Sequence, residues 1–271
     1  MYQNYRKEGR PMKRKTKLLC DHLVKALSSW PTVECICLNE AAQPDVLDPY
    51  FALILDVYYR DQVPPPAERQ GLYGSQVAAF ETSAQQNKDR FILNSLPVRI
   101  EFKNKNKIEE LVDIATAHTE NLWLIKDSGT YGFYRLTHGE VLFERNPWIE
   151  SIRSRLTNLS DTFWREMRES YQSKMEHFLS DLGAALLQND DFYYLISAAG
   201  FIRSACAVLF CINHRFEPSH KYYYEEVVKL PVLPAEFAGR FESFLRNEPS
   251  ITPERRYSVA QLIARSIIAL P

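Results

Sequence analysis

Glycine is scarce in this chain, nine of 271 residues. The few present form neither G-x-x-x-x-G-K-[ST] nor G-x-G-x-x-G, so the phosphate loop and the dinucleotide turn are both excluded. G-x-S-x-G is also missing, which removes the strained elbow of a serine hydrolase. An excess of one charge is lacking too: 33 Lys+Arg stand against 34 Asp+Glu. The chain as a whole therefore builds no field suited to nucleic acid or an anionic membrane. Cysteine is sparse and odd in number, at Cys20, Cys35, Cys37, Cys206 and Cys211. Cys35 and Cys37 sit two apart in V-E-C-I-C-L, and no second ligand pair at zinc spacing accompanies them. The cysteines read as buried thiols acting as small hydrophobes, which suits a reducing, cytoplasmic compartment. Long hydrophobic runs are nearly absent. Only Leu195 to Ile212 approaches membrane length, and Arg203, Ser197 and Ser204 interrupt it, so it reads as the central helix of a soluble bundle.

What is present begins with a basic N-terminus: Arg6, Lys7, Arg10, Lys13, Arg14, Lys15 and Lys17. No apolar core follows them, so they are not a secretory signal. They read as a solvated lead into the first helix rather than a nucleic-acid arm. Residues 12–29 carry Leu19, Leu23, Ala26 and Leu27 on one helical stripe. Strands are expected at Val33–Leu38, Phe51–Tyr59 and Leu96–Phe102, with a helical turn opening at Pro64-Pro65-Pro66. A helix from about Lys107 to His118, a strand at Leu122–Ile125 and a hairpin around Thr137-His138-Gly139 follow. From Trp148 onward nearly everything reads as helix, with start signals at Asp161, Asn189-Asp190-Asp191 and Thr252-Pro253-Glu254. The expected fold class is α+β: a small mixed-sheet domain over 1–148, then an all-α bundle over 149–271.

The strongest chemical signal is a carboxylate inside an apolar strand. Asp56 lies in Leu53-Ile54-Leu55-Asp56-Val57-Tyr58, where a buried charge is costly unless paired or bound to a cation. Glu101 in Val98-Arg99-Ile100-Glu101-Phe102 poses the same question. If the two strands are neighbours in register, the carboxylates converge, and oxygen ligands on adjacent strands suit Mg²⁺. The residues leave another reading open, in which both are polar positions on a wet face or are salt-bridged to Arg99, Arg60 or Lys103. Glu81, in Phe80-Glu81-Thr82, falls on an intermediate strand with nothing in the sequence to bring it to this place.

Order and spacing add a resemblance. V-E-C-I-C-L-N-E (33–40), D-P-Y-F-A-L-I-L-D-V-Y-Y (48–59), L-P-V-R-I-E-F-K-N (96–104) and L-F-C-I-N-H-R-F-E-P-S-H-K-Y (209–222) resemble the nucleotidyltransferase superfamily. Within it they are similar to the branch related to aminoglycoside nucleotidyltransferases, and to a bacterial family that adds a C-terminal helical bundle. The resemblance implies a cleft between the two domains. There Asp56 and Glu101 would act as catalytic and Mg²⁺-binding residues on an NTP, with a small-molecule hydroxyl as acceptor. Asn39 would lie beside the nucleotide, and Arg215 and Lys221 would meet phosphate oxygens. The chain departs from the family at two places. Leu38-Asn39-Glu40 stands where Gly-Ser normally ends the first strand, and Ile54 stands where a D-x-D pattern places its first acid. Asp56 matches the second acid, and Asp48 is displaced from the first.

Two-metal phosphoryl transfer needs carboxylates that bridge and neutralise both ions. With Ile54 in a ligand's place, nucleotidyl transfer is expected to be impaired or lost. The alternative function is a non-catalytic ligand-sensing or protein-interaction module on the same scaffold. In Asn213-His214-Arg215, the last two residues also suit a helix C-terminus by complementing its dipole. Tyr222-Tyr223-Tyr224 suits packing between helices, with base stacking as the other reading.

Overall fold

The structure, a computed structural model, describes residues 14–39, 52–246 and 251–271. Glu40, Asp48 and the basic residues Arg6, Lys7, Arg10 and Lys13 lie outside the described residues. Two compact units divide the chain. One holds the described residues up to Val112 together with Arg135–Thr157; the other holds Asp113–Tyr134 together with the residues from Asn158 onward.

The first unit is built on a sheet. Helix α1 (Arg14–Ser28) leads into β1 (Val33–Leu38) and β2 (Leu53–Tyr59), and then α2 (Pro66–Tyr73). Strands β3 (Ala78–Thr82), β4 (Lys88–Leu93) and β5 (Leu96–Asn104) follow, and α3 (Lys105–Thr116) begins directly after β5. The sheet has six strands in the order β3-β4-β5-β2-β1-β6, where β6 is Glu140–Glu144. Only β2 and β5 pair in parallel; the other neighbours are antiparallel. Burial follows the period of two expected of a strand with one face on the core. On β5, Leu96, Val98, Ile100 and Phe102 are buried while Pro97, Arg99, Glu101 and Lys103 are not. The apolar face packs with Leu19, Leu23 and Leu27 of α1, residues at the i, i+4, i+8 spacing of one helical stripe. Tyr73 from α2 joins them. A fully buried ion pair is set among these groups: Arg69 donates to Asp89 from Nε (2.8 Å) and Nη2 (2.7 Å), and Tyr73 adds its hydroxyl at 2.6 Å. The central strands β1 and β2 are buried on both faces, so the second face of the sheet is also covered at its middle.

The stretch between β5 and β6 departs from the sequence expectation. Leu122–Ile125 is not a strand but the start of α4 (Trp123–Ser128), entered through a 3₁₀ turn at Thr119–Asn121. Leu122 and Ile125 are buried while Trp123 and Leu124 are exposed, a spacing of three that belongs to helix. A run of four apolar residues is too short to separate the two periods. The hairpin expected around Thr137-His138-Gly139 is instead the end of α5 (Tyr131–His138) turning into β6. Gly139 is required at that turn. A Cβ there would lie 2.9 Å from the Arg135 carbonyl oxygen and 3.2 Å from the Cys37 Cβ. Helix α6 (Trp148–Thr157) closes the unit.

The second unit is helical: α7 (Asp161–Gln188), α8 (Asp191–Ile212), α9 (Tyr223–Val227), α10 (Phe237–Leu245) and α11 (Pro253–Ile268). The Ser160 hydroxyl caps α7 by accepting from Phe163 N at 3.3 Å, and the Asp190 carboxylate caps α8 by accepting from Tyr193 N at 2.9 Å. Asn189, left-handed at φ 52°, turns the chain between them. By length and composition α8 could cross a membrane. Here its Ser204–Cys211 stretch is buried, and the helix packs along α7. Glu217 is buried, has no cationic partner among the described residues and is satisfied by neutral donors: Thr130 N at 3.1 Å, Thr130 Oγ1 at 3.2 Å, Tyr171 Oη at 2.6 Å and Tyr223 Oη. Burial, reinforced by the Glu217 charge, holds the Tyr171 and Tyr223 phenols well above their usual range. The chain is thus α+β, a mixed six-stranded sheet accompanied by many helices.

Candidate functional site

Parallel pairing of β2 with β5 sets Asp56 level with Glu101. Both belong to the face opposite the apolar core, since Leu55, Val57, Ile100 and Phe102 take the core face. Asp56 is 1% exposed, and Cys37 of β1 flanks it on the other side. The two acids expected to converge are therefore adjacent in the sheet.

What meets them is cationic side chain. Arg135, near the C-terminal end of α5 and 8% exposed, spans both carboxylates. Its Nε donates to Asp56 Oδ2 at 2.9 Å, its Nη2 to Asp56 Oδ1, and its Nη1 to Glu101 Oε2 at 2.7 Å. Lys103 Nζ adds a bond to Asp56 Oδ2 at 3.0 Å. Around Glu101 Oε1 stand Lys88 Nζ at 3.6 Å and Arg99 Nε at 3.7 Å. A planar guanidinium that binds one carboxylate through two nitrogens and a second through its third is an ideal geometry for such a pair. It also offsets the desolvation of a carboxylate as deeply buried as Asp56.

The electrostatics follow from these contacts. Burial pushes the Glu101 carboxyl upward, but Arg135, Lys103 and Lys88 outweigh it and leave its pKa below the ordinary value. Burial lowers the Lys103 ammonium, Arg135 lowers it further, and the attraction of Asp56 and Glu101 only partly opposes them. Tyr58, on the same face as Asp56, has a buried hydroxyl with no hydrogen-bond partner among the described residues. Its ring lies 5.2 Å from that of Trp148, and burial holds its phenol well above the usual range. A divalent cation does not fit this set of groups. Both oxygens of Asp56 and one of Glu101 already accept from cations, and Ile54 supplies no oxygen. Among the described residues no group of three His, Cys, Asp or Glu side chains is disposed to hold a metal.

The other residues singled out from the sequence have surroundings of their own. Asn39 ends β1; it is buried, and its backbone N donates to Ile54 O at 2.9 Å. Arg215 and Lys221 are exposed residues of the helical unit. Arg215 N closes the α8 terminus on Phe210 O at 2.9 Å. Lys221 sits in a 3₁₀ turn, with its ammonium 5.8 Å from the Tyr222 ring centre. Tyr223 is bonded to Glu217, and Tyr224 stacks on Phe241 at 5.7 Å. Arg60 pairs with Glu34 at 3.2 Å rather than with either site carboxylate. Glu81 is on β3, in register with Arg90.

Sequence reasoning named Lys103 among the salt-bridge partners but missed Arg135. The available signal was an arginine embedded in Phe133-Tyr134-Arg135-Leu136, a buried position once the segment is known to be helical.

The sheet order, the parallel β2–β5 pair with its acids and the helical companion unit define a nucleotidyltransferase-like fold. The crystal structure of a nucleotidyltransferase-like protein from Exiguobacterium sibiricum 255-15 is similar to it, with a TM-score of 0.50 and 15% identity, covering 93% of this chain and 74% of that one. Residues 128–223 match a family described as "Domain of unknown function (DUF4037)". No curated protein matches the chain.

Proposed function

We propose that this protein keeps a nucleotidyltransferase-like scaffold, of the branch related to aminoglycoside nucleotidyltransferases, but has exchanged its metal site for an internal guanidinium. It then acts as a non-catalytic module for ligand sensing or protein association. The observation that carries this reading is Arg135 bound to Asp56 and Glu101 together. Magnesium attracts phosphate only if carboxylates hold it, and these carboxylates are already neutralised. Under this reading Asp56 and Glu101 anchor Arg135 rather than a reacting ion. Its site is then cytoplasmic, supported by five buried cysteines with no disulfide among them.

In the catalytic alternative, Asp56 and Glu101 hold Mg²⁺, Asn39, Arg215 and Lys221 meet an NTP, and a nucleoside monophosphate passes to a small-molecule hydroxyl. Calorimetric titration of each NTP with and without magnesium, paired with an assay for released pyrophosphate, separates the two. We expect magnesium to add nothing to binding and no pyrophosphate to appear. Magnesium-dependent binding that Asp56→Ala abolishes would overturn the proposal.

A further inference from the structure

Beyond the Arg135 cluster, the same sheet face carries positive charge that its carboxylates do not match. Arg90 on β4 stands directly opposite Arg99 on β5. Like charges facing each other across a ladder repel. Glu81, in register with Arg90 from β3, offsets one of these guanidiniums. Glu101 offsets the other only in part, since Arg135 takes its Oε2 and Lys88 shares its Oε1 with Arg99. Among the described residues Arg99 Nε is buried and has no hydrogen-bond partner, since Glu101 Oε1 at 3.7 Å is out of bonding reach. A buried donor left unpaired in a native structure calls for an explanation, and an acceptor that arrives from outside is one. Both arginines line an open cavity of about 410 Å³, whose wall also includes Glu81 and the carbon surfaces of Ile92 and Pro97. That volume is in the range of small-molecule sites.

We propose that this cavity binds a small organic phosphate directly, with no divalent cation between protein and ligand. The phosphate head sits on Arg90 and Arg99, and the carbon body lies against Ile92 and Pro97. A phosphate dianion answers the positive charge that Glu81 and Glu101 leave unmatched on these guanidiniums, and its oxygens give the Arg99 fork an acceptor. The inference rests on the preceding reading that magnesium has no place at Asp56 and Glu101: a face furnished with its own cations needs no borrowed one.

The test is calorimetry of the full chain in EDTA with phenyl phosphate, AMP and benzoate as probes, at two salt concentrations. Expected is binding of both phosphates that weakens as salt rises, with benzoate bound far more weakly. Arg99→Gln should reduce affinity about tenfold, the scale of one lost charge-assisted hydrogen bond. The exposed Arg90→Gln should reduce it several-fold with an unchanged melting temperature. Absence of binding by either phosphate in EDTA, or affinities indifferent to both substitutions, overturns the inference and leaves the lost-metal reading intact. Binding only when magnesium is supplied overturns both. Benzoate binding as tightly as phenyl phosphate overturns the assignment to phosphate.

Discussion

At Asp56 a carboxylate shut away from water persists because three hydrogen bonds from Arg135 and Lys103 replace its hydration. The dependence runs one way. Deleting the guanidinium strands two acids at neighbouring positions with Lys103 as the principal counter-charge, and removing one partner of a buried ion pair costs about 3–5 kcal/mol. Arg135→Ala should therefore lose about that much stability in urea denaturation at neutral pH. A loss under about 1 kcal/mol, as for an exposed pair, would mean that the bridge is incidental. Arg135→Lys should recover only part of it, because an ammonium cannot span both carboxylates with a planar fork.

At the scale of elements, α7 and α8 lie close enough for one residue to be decisive. A Cβ at Gly200 would fall 2.5 Å from the Phe178 ring. Gly200→Ala should thus destabilise the helical unit by about 1–3 kcal/mol through overpacking, despite the better helix propensity of alanine. A gain in melting temperature would show that the ring moves aside without cost. Elements were also where the sequence was most and least informative. The alternation in Leu96–Phe102 and the apolar run ending in Asp56 disclosed which residues share a face, because a period of two survives in single strands. The start signals at Asp161, Asp190 and Thr252 disclosed the long helices for a similar reason, since the signal is local. Arg135 was hidden because its helix is only eight residues long. Its partners come from strands far away in sequence, and no local pattern records a tertiary bond. Strand β4 went unnoticed for another reason: its buried residues include Asp89, whose burial makes sense only once Arg69 is beside it.

For the molecule as a whole, the charge cluster ties stability to pH. Glu101 has a folded pKa depressed below the ordinary 4.5. Its contribution is complete above that value and fades as pH falls through the lower folded one. Denaturation midpoints measured from pH 6 downward should fall in that window, and Glu101→Gln should flatten this part of the curve. An unchanged slope in the variant would place the acid sensitivity elsewhere. The cluster also knits the unit together, since Arg135 follows Asp56 by 79 positions and reaches back to the middle of the sheet.

That span has a consequence for how the chain is made. On the ribosome both acidic strands leave the exit tunnel before the arginine that quiets them. Until α5 emerges the acid pair has Lys103 as its principal counter-charge, and the edge of β1 still waits for β6. The N-terminal unit is therefore complete only once Arg135 and β6 have followed.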